Sequence, residues 1–294
     1  MTLKSIPADR PIADARMSSD LYRVEEGLAT LGDGATRIMN RLEARFLALA
    51  SEFGAKQMVP PPLMRVADLD RIDYFENFPH LGSWVSPLKH ECLDAYTKKD
   101  GVSEIPAHDL CDASYGLPSA ACYNVYRYLR DSVIEDGTIM TLMGRCFRRE
   151  THYRQLERLW GFHMREIVCI GAEDAVKAFL RRGKALLQDI VDGCGLKIQI
   201  ETAQDPFFSK TNPRAAMQKM FPTKEEFQCG DGALAIASVN FHHNFFGERF
   251  AMKTADGKPA FTGCVAMGLE RWISVLIDRH GGDVDAILGS IDKT

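Results

Sequence analysis

The sequence predicts an α+β fold built on a mainly antiparallel sheet flanked by helices. Three observations lead there. Two long stretches, Ala35–Phe53 and Glu173–Val191, carry apolar residues at helical spacing. Short apolar runs, Ile139–Phe147 and Arg165–Gly171, read as buried strands. Strands and helices do not alternate in βαβ order, and neither a GxGxxG nor a Walker A pattern occurs. That argues against the Rossmann and P-loop nucleotide folds.

The elements follow in chain order. Residues 1–30 are polar and mixed and read as a lead-in with a short helix. In Ala35–Phe53, Ile38, Leu42, Phe46, Leu49 and Phe53 recur at steps of three and four, so one face is apolar, and Gly54 is its stop. Lys56–Val59 forms a short strand, ended by Pro60-Pro61-Pro62 because proline has no ladder donor. The strands Ile139–Phe147 and Arg165–Gly171 are joined by a basic connection, Arg148–Arg158. Glu173–Val191 sets Val176, Leu180, Leu187 and Val191 near one face. Lys197–Glu201 reads as a strand. Pro213–Met220 reads as a short helix, with Asn212 as its cap and Pro213 at its first position. Ala233–Val239 reads as a strand, and Gly263–Gly268 leads into a helix from about Leu269 to Asp278. With no internal repeat and no low-complexity segment, the chain is expected to be a single catalytic domain over 1–294.

Composition narrows the class of function. The 294 residues are 46% hydrophobic and 26% charged, enough to bury a large core. The net charge is −4, whereas proteins that grip nucleic-acid backbones usually carry a basic excess, so no tRNA partner is expected. No apolar run reaches the length of a membrane span, and Met1–Arg16 lacks the apolar segment of a signal peptide. A cytoplasmic protein without a membrane partner is the expectation. Eight scattered cysteines without a CxxC pair read as reduced thiols, mostly small buried apolar residues.

Two segments carry chemistry. Phe147-Arg148-Arg149-Glu150 places arginine and glutamate at a strand end, followed by His152, Arg154, Arg158 and Phe162. Arginine suits phosphate because its planar fork donates two parallel hydrogen bonds. Read locally, the segment fits both a phosphate clamp and a solvated charged hairpin. Gly263–Gly268 and then Leu269-Glu270-Arg271-Trp272 put small residues before a helix with an arginine in its first turn. That fits a close backbone approach to a nucleotide, and equally a glycine-punctuated corner with a surface arginine.

In order, these segments resemble the three signature motifs of class II aminoacyl-tRNA synthetases. The helix and strand ending at Pro60–Pro62 resemble motif 1. Phe147-Arg148-x-Glu150 with Arg158 and Phe162 resembles motif 2, and Gly268-Leu269-Glu270-Arg271 resembles motif 3. Arg158–Glu166, Lys224–Phe227 and Ser238–Asn240 are similar to the seryl-type core, so roughly residues 30–280 are covered. Motif 1 begins near residue 30, which leaves no room for a tRNA-binding arm. The pattern therefore resembles the stand-alone amino acid:carrier protein ligases.

That resemblance implies the fold of a class II core and a site. Arg148 would take the α-phosphate of ATP, Arg271 the γ-phosphate and Phe162 the adenine ring. Glu150 would accept from the adenine amino group or a nearby donor, Arg158 would help bind the triphosphate, and Mg²⁺ would neutralise it. It implies a catalytic Zn²⁺ on Cys122, Glu166 and Cys264, whose open fourth position would take the substrate's amino nitrogen. Ser238 and Asn240 would lie in the substrate pocket, with His242 and His243 nearby. The substrate would be glycine or alanine, and the acceptor the phosphopantetheine thiol of a small acidic carrier protein. That partner would dock on a helix within about 205–228, at Arg214 and Lys219. A homodimer is implied by the motif 1 helix. A minimal tRNA-aminoacylating enzyme and a non-catalytic amino-acid-binding paralogue are the alternatives. Retention of Arg148, Glu150 and Arg271 argues against the second.

Overall fold

The computed structural model describes residues 21–209, 218, 223–230 and 234–293. It opens on a hairpin of β1 (Tyr22–Glu25) and β2 (Leu28–Leu31), joined by Glu26 and Gly27. Both turn residues have positive φ, 49° and 79°. That is the two-residue turn whose twist matches its strands, and glycine takes its second position without strain. From Leu21 onward, therefore, the predicted lead-in is a hairpin and not a helix.

Next come α1 (Asp33–Ser51), β3 (Lys56–Gln57), β4 (Met64–Arg65), α2 (Val66–Arg71), α3 (Tyr74–Asn77), β5 (Trp84–Val85), α4 (Leu93–Tyr96) and β6 (Tyr115–Gly116). Then follow α5 (Tyr123–Tyr128), β7 (Thr138–Phe147), β8 (Gly161–Gly171), α6 (Glu173–Gly193), β9 (Ile198–Thr202), β10 (Lys224–Cys229) and β11 (Leu234–Phe241). The chain continues through α7 (Phe245–Arg249), β12 (Phe261–Gly268), α8 (Leu269–His280) and α9 (Val284–Ile291).

The predicted antiparallel sheet is present. Strands β7, β8, β12, β11, β10 and β9 lie side by side in that order, each antiparallel to the next. β3 adds a parallel pair to β7, and β2 touches β8 at Leu28 opposite Gly161. A small sheet of β4, β6 and β5 stands apart. No helix among the described residues is long and apolar enough to cross a membrane.

Alternation along the strands splits the core into two layers. One face holds Ile167, Cys169, Val265 and Met267 and packs on Ile38, Leu42 and Phe46 of α1, Leu180 and Leu187 of α6, and Trp272 of α8. Phe46 meets Trp272 edge to face at 5.2 Å, worth about 0.5–1.5 kcal/mol beyond its buried area. On the same face Arg165 of β8 pairs with Glu43 of α1 and donates to Thr141 Oγ1 at 3.1 Å. Burial lowers the Arg165 guanidinium to about 10, still a cation at neutral pH. The opposite face holds Leu142, Val168 and Ile170 and is covered by Met64, Tyr126 and Phe246. Glu166, Ser238, Asn240 and Cys264 sit on this second face.

Two boundaries differ from the sequence reading. β8 begins at Gly161, ahead of the predicted Arg165, so Glu166 lies in mid-strand. Lys224–Cys229 is a strand, so the predicted docking element at about 205–228 runs into the sheet at its end.

Candidate active site

Residues directly opposite in an antiparallel pair share a face. The register sets Glu226, Ser238, Ala266, Glu166 and Leu142 in one row across five strands. The next row runs Lys224, Asn240, Cys264, Val168 and Met140. Glu166 and Cys264 are thus diagonal neighbours, although 98 positions separate them in sequence (264 − 166).

Cys122 arrives from outside the sheet, at the start of α5. Its approach depends on Gly144 of β7, where a Cβ would stand 2.8 Å from the Cβ of Ala121. The segment before α5 is tied down from both sides. Arg148 Nε donates to the Ser119 carbonyl at 3.1 Å. The amides of Ala121 and Cys122 donate to Glu166 Oε1 at 2.9 and 3.1 Å.

The outcome is a buried cluster in which the Cys122 and Cys264 sulfurs and a Glu166 oxygen all lie within 4.8 Å of one another. Glu166 Oε2 is buried with no hydrogen-bond partner. The Cys264 thiol pulls Cys122 down, but desolvation and the Glu166 charge outweigh it and push Cys122 up to about 11. Contact with Cys122, desolvation and Glu166 together hold Cys264 well above the ordinary thiol range. Three acidic groups this close and this dry disfavour one another's charge, and a cation between them removes the conflict. Asn240 Nδ2 donates to Cys264 Sγ at 3.4 Å and to Ser238 Oγ at 3.0 Å. His242 Nε2 lies 3.9 Å from the same sulfur, and Nδ1 faces Tyr126 Oη and Thr262 Oγ1. Burial lowers His242 to about 4, so the ring is neutral at pH 7.

The cluster opens on a cavity of about 420 Å³ lined by Asp205, Lys224, Asn240, His242 and His243 among others. A smaller cavity of about 80 Å³ adjoins it, lined by Glu150, Arg158, Phe162, Glu226 and Arg271. Arg148 borders both. Its guanidinium carbon sits 5.2 Å over the Phe162 ring, a cation–π distance. Arg158 and Glu150 form an ion pair with each other. Arg271 is aimed by two carbonyls, with Nε donating to Glu157 and Nη1 to Ala235, both at 2.8 Å. Burial and then the Arg148 charge lower it to about 10, so it stays cationic. Glu270 holds the neighbouring strand, accepting from His163 N at 2.8 Å and meeting its Nδ1 at 2.7 Å.

The sequence-predicted residues therefore fall into one connected site. Arg214 and Lys219 lie outside the described residues. The sequence reading missed Asp205. Its carboxylate takes the Lys224 ammonium at 3.2 Å and the Gln218 amide at 3.2 Å, and Lys224 also meets Glu226 at 3.0 Å. A lone acid ahead of Pro206 carries no sequence signal for this role.

An antiparallel sheet with Arg148 over the Phe162 ring, beside a Cys/Glu/Cys cluster, has the arrangement expected of a class II synthetase-type catalytic core. Residues 107–280 match the model of the tRNA synthetase class II core domain (G, H, P, S and T). Two curated relatives from Bradyrhizobium diazoefficiens are amino acid–[acyl-carrier-protein] ligases 1 and 2. They are 33% and 34% identical, each over 85% of this chain and 78% of the relative. The solved structure of M. kandleri seryl-tRNA synthetase with A. aeolicus tRNASec superposes with a TM-score of 0.79 at 20% identity. It covers 98% of this chain, which spans 62% of that one. The chain belongs to the class II tRNA synthetase core family and, within it, to the amino acid–[acyl-carrier-protein] ligases. The class II core implies ATP and Mg²⁺ as its working pair.

Proposed function

We propose that this chain activates glycine or alanine with ATP as the aminoacyl-adenylate and passes it to the phosphopantetheine thiol of a small acidic carrier protein. The observation that carries the reading is the continuity of the buried Cys122/Glu166/Cys264 cluster with the arginine-lined cavity, bridged by Arg148. The names of the two B. diazoefficiens relatives support the class of acceptor.

The donor set fits Zn²⁺: two sulfurs, one carboxylate and an unpartnered Oε2 make a three-ligand site of the kind that leaves a position open. Bound there, zinc would supply a Lewis-acid contact for a neutral amino nitrogen, which selects amino acids over other carboxylic acids. Arg148 holds the α-phosphate and offsets the charge that grows as the carboxylate oxygen attacks phosphorus. Arg271 holds the γ-phosphate and Phe162 stacks on adenine. Glu150 accepts from the adenine amino group and orients Arg158 toward the triphosphate. Most of the acceleration comes from positioning and fixed charge. A cavity of about 420 Å³ exceeds what glycine or alanine needs, which leaves room for the thiol arm. Transfer forms the thioester C–S bond and breaks the acyl–phosphate bond, with the electron pair leaving on AMP and the thiol proton passing to water or to the AMP phosphate. A homodimer and docking through Arg214 and Lys219 complete the reading.

The test is ATP–pyrophosphate exchange across all amino acids, with metal analysis on the same sample, then loading of a holo carrier protein and of total tRNA. Glycine- or alanine-dependent exchange, about one zinc per chain and loading of the carrier protein alone are expected. No exchange with any amino acid in the presence of zinc would sink the proposal, and charging of tRNA would move it to a minimal synthetase.

A further inference from the structure

The bond made in activation joins the amino acid's carboxylate to the α-phosphorus, so it must form where the two cavities meet. Among the described residues, two charged side chains border both cavities, Arg148 and Lys224. Lys224 stands on β10 in the row of Asn240 and Cys264. Its side chain is 14% exposed, and its ammonium is held at 3.2 Å by Asp205 and at 3.0 Å by Glu226. Gln218 in turn fixes Asp205, accepting from its backbone amide at 2.8 Å and donating to its carboxylate. An ammonium has three donors, and these two carboxylates occupy two of them. Burial would lower the Lys224 ammonium, but Asp205 and Glu226 outweigh it and keep it protonated, while Arg148 is near enough to act the other way. Both cations border the junction of the two cavities, and an anion placed there is attracted by each.

We propose that Lys224 is a second catalytic cation at this junction, holding the α-carboxylate of the amino acid, and then the acyl phosphate, opposite Arg148. Asp205 and Glu226 are positioning residues that aim it. Lys224 keeps its proton throughout. The carboxylate oxygen forms the bond to the α-phosphorus, and the bond to the bridging oxygen breaks, with its electron pair leaving on pyrophosphate. This role rests on the adenylation reading above.

The experiment compares wild type, Lys224→Met, Lys224→Arg and Asp205→Asn in amino-acid-dependent ATP–pyrophosphate exchange. Metal content is measured on each sample, together with competition by the amino alcohol of the active substrate (2-aminoethanol for glycine). The amino alcohol keeps the amine and lacks the carboxylate. Lys224→Met should lose on the order of 10²-fold in kcat/KM, Lys224→Arg should recover part of that, and Asp205→Asn should fall between. Amino alcohol inhibition should stay within about twofold in every variant, since the group it lacks is the one Lys224 holds. Exchange by Lys224→Met within about threefold of wild type overturns the proposal, as does an equal loss for amino acid and amino alcohol. If Lys224→Met does not fold, a full-rate Asp205→Asn with an unchanged amino acid KM overturns it instead. Absence of exchange in wild type strikes the adenylation reading itself, whereas normal wild-type exchange with an indifferent Lys224 strikes this inference alone.

Discussion

Asn240 on β11 stands directly opposite Cys264 on β12, and its Nδ2 donates to the Cys264 sulfur at 3.4 Å. Ser238 Oγ holds the same amide at 3.0 Å, so the donor is pre-aimed. A hydrogen bond to sulfur favours the thiolate over the thiol, which is the form a metal needs. Asn240→Leu keeps the volume and removes the donor. Zinc affinity, read by competition against a chromogenic chelator, should fall about 10- to 100-fold. An affinity within twofold of wild type would count against a role for this contact.

The cluster and the arginines should separate by mutation. Cys122→Ala or Cys264→Ala should cut bound zinc from about one per chain to near zero. Arg148→Ala should leave zinc in place and lower exchange by about 10²–10³-fold, with unchanged circular dichroism. Full metal content in either cysteine variant would refute the ligand assignment.

Gly144 allows the segment before α5 to lie on β7, with 2.8 Å left between a built Cβ and Ala121. Gly144→Val should push Cys122 away from Glu166. Metal content should drop as it does for Cys122→Ala, although the substitution touches no ligand. A variant with full zinc would show that the segment can shift without opening the cluster.

Glu43 partners Arg165, whose side chain is only 6% exposed. Removing Glu43 leaves a buried guanidinium without its carboxylate. Glu43→Ala should cost about 3 kcal/mol in urea unfolding, the low end for a broken buried pair because water reaches Glu43. The double change Glu43→Met with Arg165→Met should recover most of that. A single-variant loss below about 1 kcal/mol would mean that water already screens the pair.

The helices and central strands were legible because their periodicities are strong. α1, β7 and α6 lie within two residues of their predicted bounds. The Gly268–Arg271 corner was legible as a motif, and in the fold it is the β12–α8 junction, where two carbonyls hold Arg271. β10 was not predicted, because Lys224, Glu225 and Glu226 replace the apolar alternation of an ordinary strand with charge. Lys224 and Glu226 line a cavity and Glu225 pairs with Lys184, so the first half of the strand has no apolar face to read. The hairpin at Tyr22–Leu31 did have a signal, alternation about Glu26-Gly27, that the mixed composition of the first thirty residues hid. No spacing rule could have joined Cys122, Glu166 and Cys264, because three different elements bring them together. The resemblance supplied that set, and the fold brings the three ligand-type atoms within 4.8 Å of one another.

β8 runs as a boundary with different business on its two sides. Met164 and Glu166 line the cavity with Val168 buried on the same face, while Arg165, Ile167 and Cys169 look toward the helices. Side chains in a strand alternate with a period of two, so inserting or deleting one residue would swap the sides. The carboxylate would turn into the apolar layer under α1, and the guanidinium would enter the site. This stretch can therefore diverge among relatives by exchange of side chains, while a change of length within it would remove catalysis and core together.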